Sequence, residues 1–148
     1  MKRTSLQDAA CPIARTLDVI GDWWSLLIVR DTLGGPRRFG ELQKNLGLAK
    51  NILAARLRSM TAQGILEAIP AADGSAWKEY SLTPKGHALF PVLVAMREWG
   101  ETYQFPDGDC PVELVDRQSG QPVRNLELRA ADGRLLSAAD TMLRARRT

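Results

Sequence analysis

Through most of the first hundred residues, apolar side chains recur every three or four positions, the period of amphipathic helices. Cys11-Pro12 opens an apolar segment from Ile13 to Ile20. Pro12 suits a first helical position, where its missing N–H would have had no partner, so Cys11 falls near the N-cap. Gly21 breaks this helix and Asp22 caps the next, in which Trp23, Trp24, Leu27, Ile28 and Val29 cover more than one face up to about Leu33. Such breadth predicts a central core helix. Gly34-Gly35-Pro36 ends it. Phe39, Leu42 and Leu46 then share one face of a short helix, Gly47 stops it, and Ile52, Leu53, Leu57 and Met60 repeat along another. Two helices joined by a glycine turn predict a helix-turn-helix.

After Gln63-Gly64 the period changes. Ile65 to Ile69 and Lys78 to Leu82 are short β-prone runs separated by a turn-rich segment from Pro70 to Ser75, which predicts a hairpin. A hairpin directly after the second helix of such a pair is a wing. Thr83-Pro84 starts a long helix on which Leu89, Val92, Leu93, Met96, Trp99 and Tyr103 repeat up to Phe105-Pro106. So broad an apolar face exceeds what one small winged domain covers, so a partner subunit is expected. Beyond Asp107, Pro111 to Val115 and Leu126 to Arg129 read as strands, the second joined through Asp132-Gly133 to Arg134, Leu135 and Leu136. Ser137 with Asp140 makes a helix start. The expected fold is mainly α (α+β): a winged helix-turn-helix over residues 1–106 with a long C-terminal dimerisation helix, and a small β-rich extension over 107–148.

Charge changes this picture more than composition does. The 148 residues, 45% apolar and 25% charged, suit a folded domain without a disordered signature. No run of eighteen apolar residues suggests a membrane span, and the first residues lack the apolar core of a secretory signal. Two cysteines make no disulfide framework, so a cytoplasmic, reducing location is expected. The net charge of +3 is uninformative, but Arg37 to Arg58 holds six cations against one anion, which is +5 and leaves −2 for the rest. The second helix of the pair carries Lys50, Asn51, Ala54, Ala55 and Arg58 off its apolar stripe. Small residues and donors together suit entry into the major groove of DNA. Lys50 and Asn51, at the start of that helix, are the candidates for base edges. Arg37, Arg38, Arg58 and Lys78 are the candidates for phosphates. Trp77 and Lys78, near the wing tip, would follow the backbone or the minor groove. Arg56 lies beside the apolar stripe and has two open readings, a DNA contact or a tie to a neighbouring acid.

Other chemistry is sparse. A thiol at a helix N-terminus feels the positive end of the dipole, which favours the thiolate; Cys11 is on this ground a candidate for redox or electrophile sensing, with Arg15 one turn on. The alternative is a small buried apolar residue. Cys110 reads either as a resolving partner or as an unrelated thiol. His87 is the only histidine and, with no clustered cysteines, neither a metal site, a cofactor nor a catalytic set is expected. Trp23, Trp24, Trp77 and Trp99 read as core or as the lining of an effector pocket.

Cys11-Pro12-Ile13, Ile20-Gly21-Asp22-Trp23-Trp24, Leu27-Ile28-Val29-Arg30-Asp31, Gly35-Pro36-Arg37-Arg38-Phe39, Leu48-Ala49-Lys50-Asn51-Ile52-Leu53, Arg56-Leu57 and Tyr80-Ser81-Leu82-Thr83-Pro84-Lys85-Gly86 carry a family pattern. In this order and spacing, over roughly residues 11 to 105, they resemble the HxlR-type branch of MarR-like transcriptional regulators. The resemblance implies a prokaryotic, homodimeric winged helix-turn-helix DNA-binding protein, with the terminal helices forming the dimer. It also implies that a cysteine placed like Cys11 responds to oxidants or electrophiles. Some members carry Cys-x-x-Cys-Gly in a C-terminal extension; here the matching stretch is Arg129-Ala130-Ala131-Asp132-Gly133, without thiols for a metal. The expected function is a homodimeric repressor on a palindromic double-stranded DNA operator, with oxidation or electrophile modification of Cys11 as its candidate switch. Its rivals are a winged-helix protein-interaction module and a regulator that answers a small molecule without thiol chemistry.

Overall fold

The computed structural model describes residues 4–105 and 107–146, so Pro106 and the last cation of the basic tail, Arg147, lie outside the described residues. Packing divides the chain into two units, up to Leu93 and from Val94 onward. The division falls inside the last long helix, whereas the sequence suggests a boundary between residues 106 and 107.

In the first unit α1 runs from Pro12 to Ile20, with Cys11 as its N-cap and Pro12 in its first turn. Gly21 ends it by close approach: a Cβ there would lie 2.2 Å from the Leu17 carbonyl oxygen, so no larger residue fits. Asp22 caps α2 (Trp23–Thr32), accepting the N–H groups of Trp24 and Ser25 at 2.9 Å each. Ser25, Ile28, Val29 and Thr32 are buried, and the Thr32 hydroxyl donates back to the Ile28 carbonyl at 2.8 Å. This is the core helix the apolar pattern predicts. Trp23, by contrast, stands 86% exposed.

The helix pair is α3 (Phe39–Leu46) and α4 (Lys50–Ala62). Gly47 between them adopts φ 65°, and its N–H returns to the Gln43 carbonyl. Leu42, Leu48, Leu53, Leu57 and Met60 enter the core with Ile28 and Val29. Ile52, expected in that stripe, is 42% exposed. Leu53, Leu57 and Met60 define the buried line at intervals of four and three, and Ile52 lies about 100° off its end. Leu48, in the turn, is buried in the core instead.

The wing has three strands, not two. β2 (Leu66–Pro70) and β3 (Lys78–Leu82) form the expected hairpin, and β1 (Arg37–Arg38) adds to the other edge of β3 in the order β1-β3-β2. All pairings are antiparallel, with Arg37 opposite Tyr80 and Arg38 opposite Glu79. Two residues are too few to show a period, which is why β1 is invisible in the pattern. The helix expected from Pro84 onward is interrupted. Thr83 caps a single turn, α5 (Pro84–His87), and α6 (Phe90–Gln104) begins afresh. Pro91 explains the break, because its missing N–H and its ring are tolerated only in a helix's first turn. His87 therefore ends α5, exposed, instead of opening the long helix.

In the second unit the expected strands shrink to single bridges, Val115 with Pro122 and Arg129 with Leu135. Turns hold it instead: Asp116 accepts the Gly120 N–H at 2.8 Å, Glu98 accepts the Leu126 N–H at 2.7 Å, and Arg97 donates to the Val112 carbonyl. The Ser137–Asp140 capping box closes one 3-10 turn over Ala138–Asp140. Among the described residues from Asp107 onward no large apolar residue is buried: Leu128 is 60% exposed and Leu135 59%. Alternation along a strand signals a sheet only where one face has something to pack against.

Candidate nucleic-acid interface

Three pieces of the first unit converge. The start of α3, the start of α4 and the wing border a groove of about 640 Å³. Phe39, Gly40, Glu41 and Gln43 line it from α3, Lys50 and Ala54 from α4, and Trp77 and Lys78 from the wing, with Arg38 between. Lys50 and Asn51 are exposed in the first turn of α4, and Ala54 and Ala55 are half-buried beside them. Ala49, the N-cap of α4, offers no side-chain cap, so the positive end of the helix faces outward with them. Trp77 is 71% exposed at the wing.

The six expected cations separate by whether an acid already holds them. Arg56 points inward: its Nη1 lies 3.2 Å from Asp22 Oδ2, so the carboxylate that caps α2 also ties down α4. Burial disfavours the Asp22 carboxylate, but hydrogen bonds from Ser25 and Trp24 and the charge of Arg56 outweigh it and hold its pKa below the usual range. Arg38 donates to Asp73 in the wing turn, and its Nε lies 3.6 Å from Glu79 on β3. The Asp73 hydrogen bond, foremost, raises the Arg38 pKa, while Ser75 and then Arg38 hold the Asp73 carboxyl well below the ordinary range. Arg37 gives its Nε to the Asp31 carbonyl at 3.0 Å, a neutral partner that leaves its charge uncompensated. Lys50, Arg58 and Lys78 are exposed, and among the described residues none of them forms an ion pair. Asp22, Asp73 and Glu79 were not legible as part of this surface, since each looks locally like a cap, a turn former or a strand polar residue. Only contacts across 34 or more residues give the first two their second role.

Cys11 is exposed at the N-cap of α1, where the sequence puts it. Arg15 does not turn to the thiol; its Nε donates to the Ala9 carbonyl. Cys110 is half-buried, its thiol 3.3 Å from the Val112 carbonyl, and both cysteines are free. Trp24 packs against the core and Trp77 lines the groove, while Trp23 and Trp99 are exposed. A smaller hollow of about 260 Å³, between Val19, Ile20, Ile65 and Leu89 with Arg15 and Lys85 at its edge, holds none of the tryptophans. Along α6, Val92, Met96, Trp99 and Tyr103 are 40%, 54%, 59% and 65% exposed, with the Trp99 and Tyr103 rings 5.4 Å apart.

The model of the HxlR-like helix-turn-helix family matches residues 19–107. The HTH-type transcriptional regulator Mb3122 of Mycobacterium bovis is 36% identical over 110 residues, which span 74% of this chain and 69% of that protein. The crystal structure of PA1607 superposes with a TM-score of 0.89 at 59% identity, covering 95% of this chain and 99% of the other. The redox regulator HypR in its reduced form superposes with a TM-score of 0.59 at 31% identity, covering 67% of this chain and 99% of its own.

Proposed function

Because this chain belongs to the HxlR-like helix-turn-helix family and is a transcriptional regulator, not an enzyme, we propose that it acts in the cytoplasm as a homodimeric repressor of a palindromic operator. The observation that carries the reading is a groove lined by two cations, Lys50 and Lys78, that no acid among the described residues holds; Arg58 is exposed on the same helix as Lys50, and Arg37 has only a carbonyl for a partner. Helix α4 would enter the major groove. Lys50 suits guanine O6 and N7 and Asn51 suits adenine, while Arg37, Arg58 and Lys78 would neutralise phosphates. Arg56 is left out of the contact set because Asp22 holds it. The unpartnered apolar face of α6 supports the dimer, and a two-fold axis would set half-sites about one helical turn, or a multiple of it, apart. Among the described residues no helix is long and apolar enough to cross a membrane.

A thiol switch is the second reading, favoured by the exposure of Cys11 at a helix N-cap and by likeness to a structure described as a redox regulator. Titrating the protein against a labelled fragment of its own upstream DNA, across salt and with or without mild oxidant, tests both. The repressor reading expects binding whose log affinity falls steeply and linearly with log salt. A salt-indifferent protein would favour a hydrophobic protein-interaction surface instead. The switch expects oxidation to release DNA from the wild type and not from Cys11→Ser; equal release from both removes it.

A further inference from the structure

We propose that Arg38 is a positioning residue of the DNA surface: with Asp73 and Glu79 it ties the wing turn to the start of α3, and its charge is not available to phosphate. The inference rests on the DNA-binding reading above and changes the role of one of its residues. Arg38 occupies a junction. Its backbone is the N-cap of α3, where its N–H donates to Glu41 at 2.7 Å, and it is also the residue of β1 that pairs with Glu79. From there the guanidinium reaches Asp73 in the wing turn, 35 residues away in sequence.

That turn is itself well defined. Asp73 accepts the Ser75 N–H at 3.0 Å, the Gly74 N–H returns to Ala71 at 3.1 Å, and the Ala71 N–H to the Trp77 carbonyl at 3.2 Å. Fixing Asp73 therefore fixes Trp77 and Lys78, the wing's two contributions to the groove. The electrostatics agree with this role. One guanidinium between two carboxylates leaves a local charge of −1, so an approaching phosphate meets no net attraction there, unlike at Lys50 or Lys78. The guanidinium is held on one side by a hydrogen bond to Asp73 and on the other by the charge of Glu79.

The test compares Arg38→Ala, Asp73→Asn and the double variant on the tightest-bound segment of the upstream fragment, by salt titration and hydroxyl-radical footprinting, with thermal melting as a check on folding. Asp73→Asn keeps the Ser75 contact and removes a negative charge, so simple charge counting predicts tighter binding. Positioning predicts the reverse: each single variant binds about tenfold more weakly, and the double no worse than either, as coupled neighbours behave. The salt slope stays at its wild-type value, and protection is lost at the wing-side flanks but kept at the half-site centres. If Arg38→Ala lowers the slope by about 0.9, the share of one phosphate contact, while Asp73→Asn tightens binding, the inference is overturned and Arg38 is a contact. A general loss of stability would reduce the active fraction without moving the footprint's edges, and that outcome also overturns it. Wild-type protein that binds no fragment in a salt-sensitive way overturns the DNA-binding reading itself.

Discussion

Lys50 and Arg56 lie less than two turns apart on α4, yet Asp22 takes the charge of the second and nothing among the described residues takes that of the first. A residue's chemistry at this surface is thus set by the acid that reaches it, not by its own type. Lys50→Ala or Asn51→Ala should cost about 1–3 kcal/mol in operator binding and relax the preferred sequence, read by competition with point-substituted duplexes. Arg37→Ala should instead weaken all duplexes alike and lower the salt slope by about one unit. A loss confined to a single base position after Arg37→Ala would reverse the two assignments.

At the scale of elements, Asp22 joins a cap to a tether. It satisfies the first turn of α2 and, through Arg56, positions the outer face of α4. Asp22→Ala should lower stability by about 0.5–2 kcal/mol from the cap alone, measured by urea unfolding. The pH dependence has a definite sign. The folded-state pKa of Asp22 lies below that of an ordinary carboxylate, so the stability it contributes is complete above about pH 4–5 and is lost as pH falls through the folded value. Asp22→Asn should therefore flatten the acid limb of the stability curve while leaving its shape near neutrality unchanged. Gly86 marks another junction. A Cβ there would meet the Ile65 carbonyl oxygen at 2.3 Å and Leu82 Cδ2 at 2.8 Å, where α5 crosses the base of the wing. Gly86→Ala should cost about 1–3 kcal/mol, since the obstructing atom is backbone and has no rotamer to yield. An unchanged melting temperature would show that the strand moves aside.

For the whole molecule the proposed dimer rests on α6. Its exposed Val92, Met96, Trp99 and Tyr103 recur at intervals of four, three and four, with Trp99 against Tyr103, a pattern that a solvated helix has no reason to keep. With the proposed dimer seated on α6, Trp99→Glu should give a sedimenting monomer and weaken operator binding far more than the loss of one contact, because the two half-sites would then be bound independently. A Trp99→Glu protein that remains dimeric would move the interface elsewhere.

What the sequence determined by itself was whatever depends on neighbours along the chain: the capped start of α2, the glycine turn between α3 and α4, the buried line Leu53, Leu57 and Met60, the hairpin, the basic excess and the place of Cys11 at an N-cap. Periodicity and capping are local, and local physics is legible in order. The break at Pro91 is local in the same sense. Tertiary structure alone decided the third wing strand, the outward turn of Ile52 and the loss of the extension's strands. It also decided which cations remain free. Each of these turns on a partner supplied from far along the chain or on the lack of a surface to pack against. A strand of two residues exists only because β3 offers an edge, and an arginine's charge is compensated only because folding brings a carboxylate beside it.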